Sequence, residues 1–259
     1  MSVARALAAQ SLDALVPQWA APLNVHAFVS TRNGNAGTSF DLGPAWLDML
    51  AGAPRDAVIA NRRLLEAVLP SAPIYLEQTH GTNVARIDRA TLAAARESPP
   101  RADAAVTSLA DVPIAIRVAD CLPVLLCDAQ GGTVGAAHAG WRGLAAGVLE
   151  ATIDTMNVEA SSLCAWLGPS IGPQAFEVGD DVRDAFCTTD ARSADHFVAN
   201  DRRRWLADLP ALARRRLGAC GVTRIATVGE CTFTRADRYF SWRRDRTSHR
   251  FGAFLWRSR

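Results

Sequence analysis

The chain has 259 residues, 49% of them apolar, and 28 basic against 26 acidic side chains give a net charge of +2. That composition fills a core and excludes a disordered chain, and the near-neutral charge excludes a whole-molecule polyanion binder. Every basic residue is arginine, which also excludes Schiff-base and P-loop lysine chemistry.

The first stretch, MSVARALAAQSLDALVPQW, is broken by Gln10, Ser11 and Asp13 and lacks the apolar centre of a signal peptide. No apolar run approaches the roughly 20 residues that span a bilayer. Strand-like runs then recur: NVHAFVST (24–31), APIYLEQT (72–79), VARID (84–88), AAVTSL (104–109), PIAIRVA (113–119), PVLLCDA (123–129), TVGAAHA (133–139), CAWLGPSI (164–171) and RIATVG (224–229). Each is short and bounded by Gly, Pro or Asp. DAQGGT (128–133) reads as a hairpin connection between two of them. Helical spacing is confined to 54–69, 143–156 and 209–220. Most strands follow one another directly, which predicts an α+β (α/β layered) chain, one domain over 1–259, with a mixed β-sheet core flanked by helices. The six cysteines form no CxxC pair and several sit in apolar runs, so a reducing cytoplasm is expected and a disulfide framework is not.

The chemistry concentrates in RVADCLPVLLCDAQGGTVGAAHAGWRG (117–143) and in EQTHG (77–81). Cys121 stands at a strand junction, and His138 ends a strand of small residues before a helix start. His80 comes from a separate turn. One thiolate and two imidazoles suit Zn2+ and leave a fourth position open, where the pKa of bound water drops to about 7. The spacing alone equally fits a core thiol and a satisfied core histidine. A metal-independent Cys121–His138 hydrolase is a further reading. GPSIG (168–172) matches the nucleophile-elbow pattern at Ser170, but Pro173 follows where a helix is needed, so a structural turn is the better reading. From Arg235 to Arg259, eight arginines interleave with aromatics. Period-2 spacing in FGAFLW favours a terminal strand over a nucleic-acid surface.

EQTHG, ADAAVTSLADVPIAIRVADCLPVLLCD, GAAHAGWRG, GPSIGPQAFEVG, WLADLPALARRRL and CTFTRADRYFSWRRD together resemble the multicopper polyphenol oxidase (laccase-domain) family. That family is also described as YfiH-type purine nucleoside phosphorylases or peptidoglycan editing factors. The resemblance runs from about Asn24 to the C-terminus. It implies a single α/β domain with zinc on His80, Cys121 and His138. It also implies phosphorolysis of adenosine, inosine, guanosine or methylthioadenosine, and deamination of adenosine. Its partners would be purine nucleosides and phosphate, with no nucleic acid and no membrane. A cell-wall precursor editing role is the alternative. Copper is possible but not favoured, since several centres need many histidines and the chain has five. Arg62, in an NR pair that resembles the family's, and Arg142 are the candidates for binding nucleoside or phosphate. Gln78, two before His80, is a candidate for the purine. Asp120 and Glu77 are the nearest acids for proton transfer, and regular strand geometry would turn Asp120 away from the face of Cys121. The chain departs from the family pattern at Gln174 and Ala175, where cysteines are usual, and over PAWLDMLAGAP (44–54).

Overall fold

The computed structural model of the protein describes residues 3–34, 38–44 and 52–259. Most of PAWLDMLAGAP therefore lies outside the described residues. The chain opens with α1 (Val3–Ala9), β1 (Ala14–Leu15), β2 (Val25–Ser30) and α2 (Gly52–Glu66), then β3 (Val84–Ile87), α3 (Leu92–Glu97) and β4 (Ala104–Thr107). The central block is β5 (Ile114–Val118), β6 (Leu122–Asp128), β7 (Val134–Ala139), α4 (Trp141–Ala146), α5 (Val148–Met156) and β8 (Leu163–Leu167). There follow β9 (Glu177–Val178), α6 (Asp180–Cys187), β10 (Phe197–Ala199), β11 (Trp205–Ala207), α7 (Leu209–Ala219), β12 (Arg224–Thr227), α8 (Trp242–Asp245) and β13 (Phe251–Arg257).

Two sheets stack. One is six-stranded and mixed, in the order β12-β8-β6-β7-β4-β3, with parallel pairs at both edges. The other is antiparallel, in the order β1-β2-β13-β5. A three-stranded sheet, β10-β11-β9, lies apart. Strand alternation distributes the apolar side chains. Leu125, Cys127 and Trp166 of the mixed sheet face Ile114, Ile116, Phe251 and Leu255 of the other. Leu122, Val124, Leu126 and Leu167 turn the opposite way, onto Leu149, Ile153 and Leu212 of the helices. Phe28 and Phe254 stack at 4.8 Å beyond the antiparallel sheet and close a third cluster with Leu65 of α2. Central strands are thus buried on both faces, which is why they read as continuous apolar runs. Each such side chain contributes about 1.5–3 kcal/mol.

The expected α+β architecture holds, with corrections in detail. The run 143–156 is two helices, because Gly147 takes φ 104°, a left-handed conformation no helix continues through. APIYLEQT is not a ladder strand; it touches β5 through one bridge, Ile74 to Ile114. CAWLGPSI stops at Leu167, and Ser170 makes a single bridge to Cys231 with no helix after it. In the C-terminal segment Tyr239, Phe240, Phe251, Phe254 and Trp256 are buried, so these aromatics serve the core and offer no stacking face for nucleic acid.

Candidate metal centre

Ladder register brings two of the expected ligands together. In the β6–β7 pair Pro123 faces His138 and Leu122 faces Ala139, so Cys121 stands opposite Gly140 at the next position. Cys121 and His138 share the sheet face turned to the antiparallel sheet. His80 reaches them from a turn in which it holds φ 62°, so the two-residue alternation that would pair it with Gln78 does not apply. The three ligand atoms lie within 4.8 Å of one another. Cys121 Sγ is 3.6 Å from His80 Nε2, and the imidazole rings meet edge-on at 4.8 Å. The glycines of GAAHAGWRG permit this approach. A Cβ at Gly140 would lie 2.8 Å from His80 Cδ2 and 3.0 Å from Cys121 Sγ, and one at Gly143 would lie 2.7 Å from the Gly81 carbonyl.

Asp103, which sequence reasoning missed, organises the site. It is fully buried in the segment before β4. Its Oδ1 accepts from His138 Nδ1 at 2.8 Å and from the His80 backbone N–H at 2.9 Å. Its Oδ2 accepts from Gly81 N–H at 2.7 Å, and from Thr79 N–H and Oγ1 at 3.1 Å each. One carboxylate thereby fixes the His80 turn and orients the His138 ring, leaving Nε2 to the ligand cluster. Burial pushes the Asp103 carboxyl up, but the His138 and backbone hydrogen bonds outweigh it and hold the pKa down at about 2.

The thiol and imidazole form a charge pair. Burial opposes ionisation of Cys121, but the charge of His138 and hydrogen bonds from His138 and His80 bring its pKa down to about 6. Burial likewise opposes charge on His138, and Cys121 with Asp103 raises it to about 9. The thiolate is stabilised by these imidazoles, not by the short helix that follows. A thiolate beside two imidazole nitrogens, with a carboxylate behind one of them, is a donor set that fits zinc.

The centre opens into a cavity of about 940 Å³. Trp141, Phe176 and Trp242 supply its aromatic wall, and five arginines line it. A second cavity of about 470 Å³, which Ser170, Gln174 and Cys231 help to line, lies elsewhere.

Residues 26–258 match the family described as multi-copper polyphenol oxidoreductase laccase. The chain belongs to this family. It is 45% identical to a purine nucleoside phosphorylase of Pseudomonas aeruginosa over 93% of this chain and 97% of that one. It is 42% identical to the purine nucleoside phosphorylase YfiH of Escherichia coli K12, over 93% and 98%. The crystal structure of Neisseria meningitidis protein NMB0706 superposes with a TM-score of 0.85 at 41% identity, covering 95% of this chain and 99% of that one. The laccase family is an enzyme family, and its description names several coppers. Among the described residues of this member a single cluster of three donors could hold a metal. His26 instead packs on Trp256, and His249 on Phe240 near Asp41.

The remaining expected residues divide. Arg142 lines the cavity, with its guanidinium 4.4 Å from the centroid of the Trp141 ring. Gln78 lines it too, but its amide is engaged: Nε2 donates to the Arg117 carbonyl at 2.8 Å and Oε1 accepts from the Arg117 N–H at 2.9 Å. The side chain thus pairs with β5 as a strand backbone would. Arg62 is not among the cavity-lining residues. It donates to the Leu42 and Pro44 carbonyls and lies 4.3 Å over the Tyr75 ring, which makes it a support for the cavity-lining Pro44. Asp120 is not in regular strand, since its φ is 94°. Its Oδ1 accepts from Thr232 Oγ1 and its Oδ2 from the Arg243 N–H, each at 2.7 Å. No helix among the described residues is long and apolar enough to cross a membrane.

Proposed function

We propose that this chain is a zinc-dependent purine nucleoside phosphorylase that also deaminates adenosine. The convergence of His80, Cys121 and His138 within 4.8 Å at a cavity of nucleoside-accommodating size carries the reading. The names of the relatives support the substrate class, with adenosine, inosine, guanosine and methylthioadenosine as the candidates. His80, Cys121 and His138 hold the metal, and Asp103 keeps His138 in the tautomer that offers Nε2. Zinc in such a site supplies Lewis-acid polarisation and lowers the pKa of bound water. The aromatic wall stacks the purine, and the cavity arginines hold the anion.

In phosphorolysis a phosphate oxygen bonds to C1′ of the ribose as the C1′–N9 bond breaks. The bonding pair leaves with the purine, which takes up a proton, and the sugar product is ribose 1-phosphate. In deamination water replaces the 6-amino group and ammonia leaves. Incubation of the metal-loaded protein with adenosine separates the reactions: adenine and ribose 1-phosphate need phosphate, whereas inosine does not. Absence of all three products with zinc loaded removes the reading.

One observation favours a second reading, a metal-free thiol hydrolase. Cys121, His138 and Asp103 line up as nucleophile, base and orienting acid. Its mark is activity that survives a chelator. A cell-wall precursor editing role draws on no observation in the cavity.

A further inference from the structure

The cavity arginines are Arg117, Arg142, Arg204, Arg243 and Arg250. Among the described residues none of the five makes an ion pair, whereas arginines elsewhere do: Arg215 with Asp190, Arg216 with Glu150, Arg238 with Glu230. Arg117 is the extreme case, only 8% exposed. Its Nη1 donates to the Gly43 carbonyl at 2.5 Å and its Nη2 to the Leu76 carbonyl at 2.9 Å, and Nε has no partner. Carbonyls satisfy donors without neutralising charge, so this buried cation stands uncompensated within the protein.

A second guanidinium stands beside it. In the β5–β13 pair Gly252 faces Arg117, so Arg250, two residues earlier, is its diagonal neighbour on the same face. Arg250 Nη1 donates to the Thr247 and His249 carbonyls, and no hydrogen bond engages its other guanidinium nitrogens. Asp41 is the adjacent carboxylate. It serves the main chain, accepting from Gly43 N–H at 2.9 Å and Arg250 N–H at 2.8 Å, and it lies 4.0 Å from His249. Burial, then Arg62 and Arg250, push the Arg117 pKa down to about 10, the signature of a cation short of counter-charge. Burial also lowers Arg250. Both arginines line the cavity that His80, Cys121 and His138 also line.

We propose that Arg117 and Arg250 form an oxyanion subsite and that its occupant is inorganic phosphate, the co-substrate of phosphorolysis. The identity of the occupant rests on the phosphorylase reading; the subsite itself does not. Two guanidiniums that make no ion pair among the described residues offer fork-shaped donors to a tetrahedral oxyanion, in the same cavity as the candidate metal cluster.

Calorimetric titration of the zinc-loaded full chain with inorganic phosphate, at fixed ionic strength and without nucleoside, tests it. Saturable binding is expected, weakened at least tenfold in Arg250→Gln and in Arg117→Met. The exposed Arg101→Gln, a control for bulk charge, titrates as the native protein. If Arg117→Met does not fold, Arg250→Gln decides alone. In turnover, KM for phosphate rises tenfold in Arg250→Gln while KM for nucleoside holds. Phosphate affinity within twofold of native in Arg250→Gln overturns the proposal. So does binding of adenosine 5′-monophosphate where inorganic phosphate alone does not bind. Phosphate binding without phosphorolysis would instead remove the phosphorylase reading and leave the subsite standing.

Discussion

Asp103 concentrates the most consequence in a single side chain. It accepts five hydrogen bonds, four of which hold the His80 turn while the fifth orients the His138 ring. Asp103→Asn keeps the shape but gives one position a donor where only acceptors fit. Zinc affinity should fall about 10–100-fold, as for other lost partners of metal-bound histidine. Competition with a chromophoric chelator measures it, and affinity within twofold of native would reduce Asp103 to a turn residue. The Cys121–His138 pair makes a second prediction. In metal-free protein the thiol has a pKa of about 6, so thiolate is present above that pH and lost below it. The rate of alkylation at Cys121, followed by mass spectrometry, should rise through pH about 6. In His138→Gln, with the leading stabilising charge removed, the midpoint should move up. A native midpoint near 9 would refute the pair. The candidate ligand cluster was legible because cysteine and histidine are scarce and sit in distinctive settings. Asp103 was not, because nothing in RADAAV separates an orienting carboxylate from a loop acid.

At the scale of elements, the small residues of GAAHAGWRG answer to distance. Gly140→Ala puts a methyl against His80 and Cys121 at less than contact distance, and the atoms it meets are the ligands themselves. Metal affinity should drop at least tenfold while thermal stability falls by only about 1–3 kcal/mol, the usual range for overpacking. Parallel chelator competition and calorimetry separate the two. Unchanged metal affinity would mean that the ligands have room to shift. The β6–β7 hairpin could be read from sequence because short apolar runs, bounded by Pro, Asp and Gly, flank DAQGGT. The EQTH segment could not: the Gln78 amide stands in for the backbone beside β5, and propensity carries no sign of a side chain acting as a strand. The setting of Arg62 was hidden for a related reason. Its position in an NR pair suggests a ligand contact, whereas the carbonyls of Leu42 and Pro44 take its donors.

For the whole molecule, the stacked sheets explain why the chemistry sits where it does. β6 and β7 are buried on both faces, so their ends beside Cys121 and His138 are held rigidly while the turns beyond them open into the cavity. The α+β class and the mixed sheet were legible from the succession of short strands. The central place of β13, between β2 and β5, depends on pairing that spans most of the chain, and local pattern gives only its alternation. The proposed function calls for one metal per chain, required for turnover. Elemental analysis of the native protein and of Cys121→Ala, each paired with the rate of phosphate-dependent adenosine cleavage, tests this most directly. One zinc per native chain is predicted, with metal and activity lost together in the variant. Full activity in metal-free protein would contradict it.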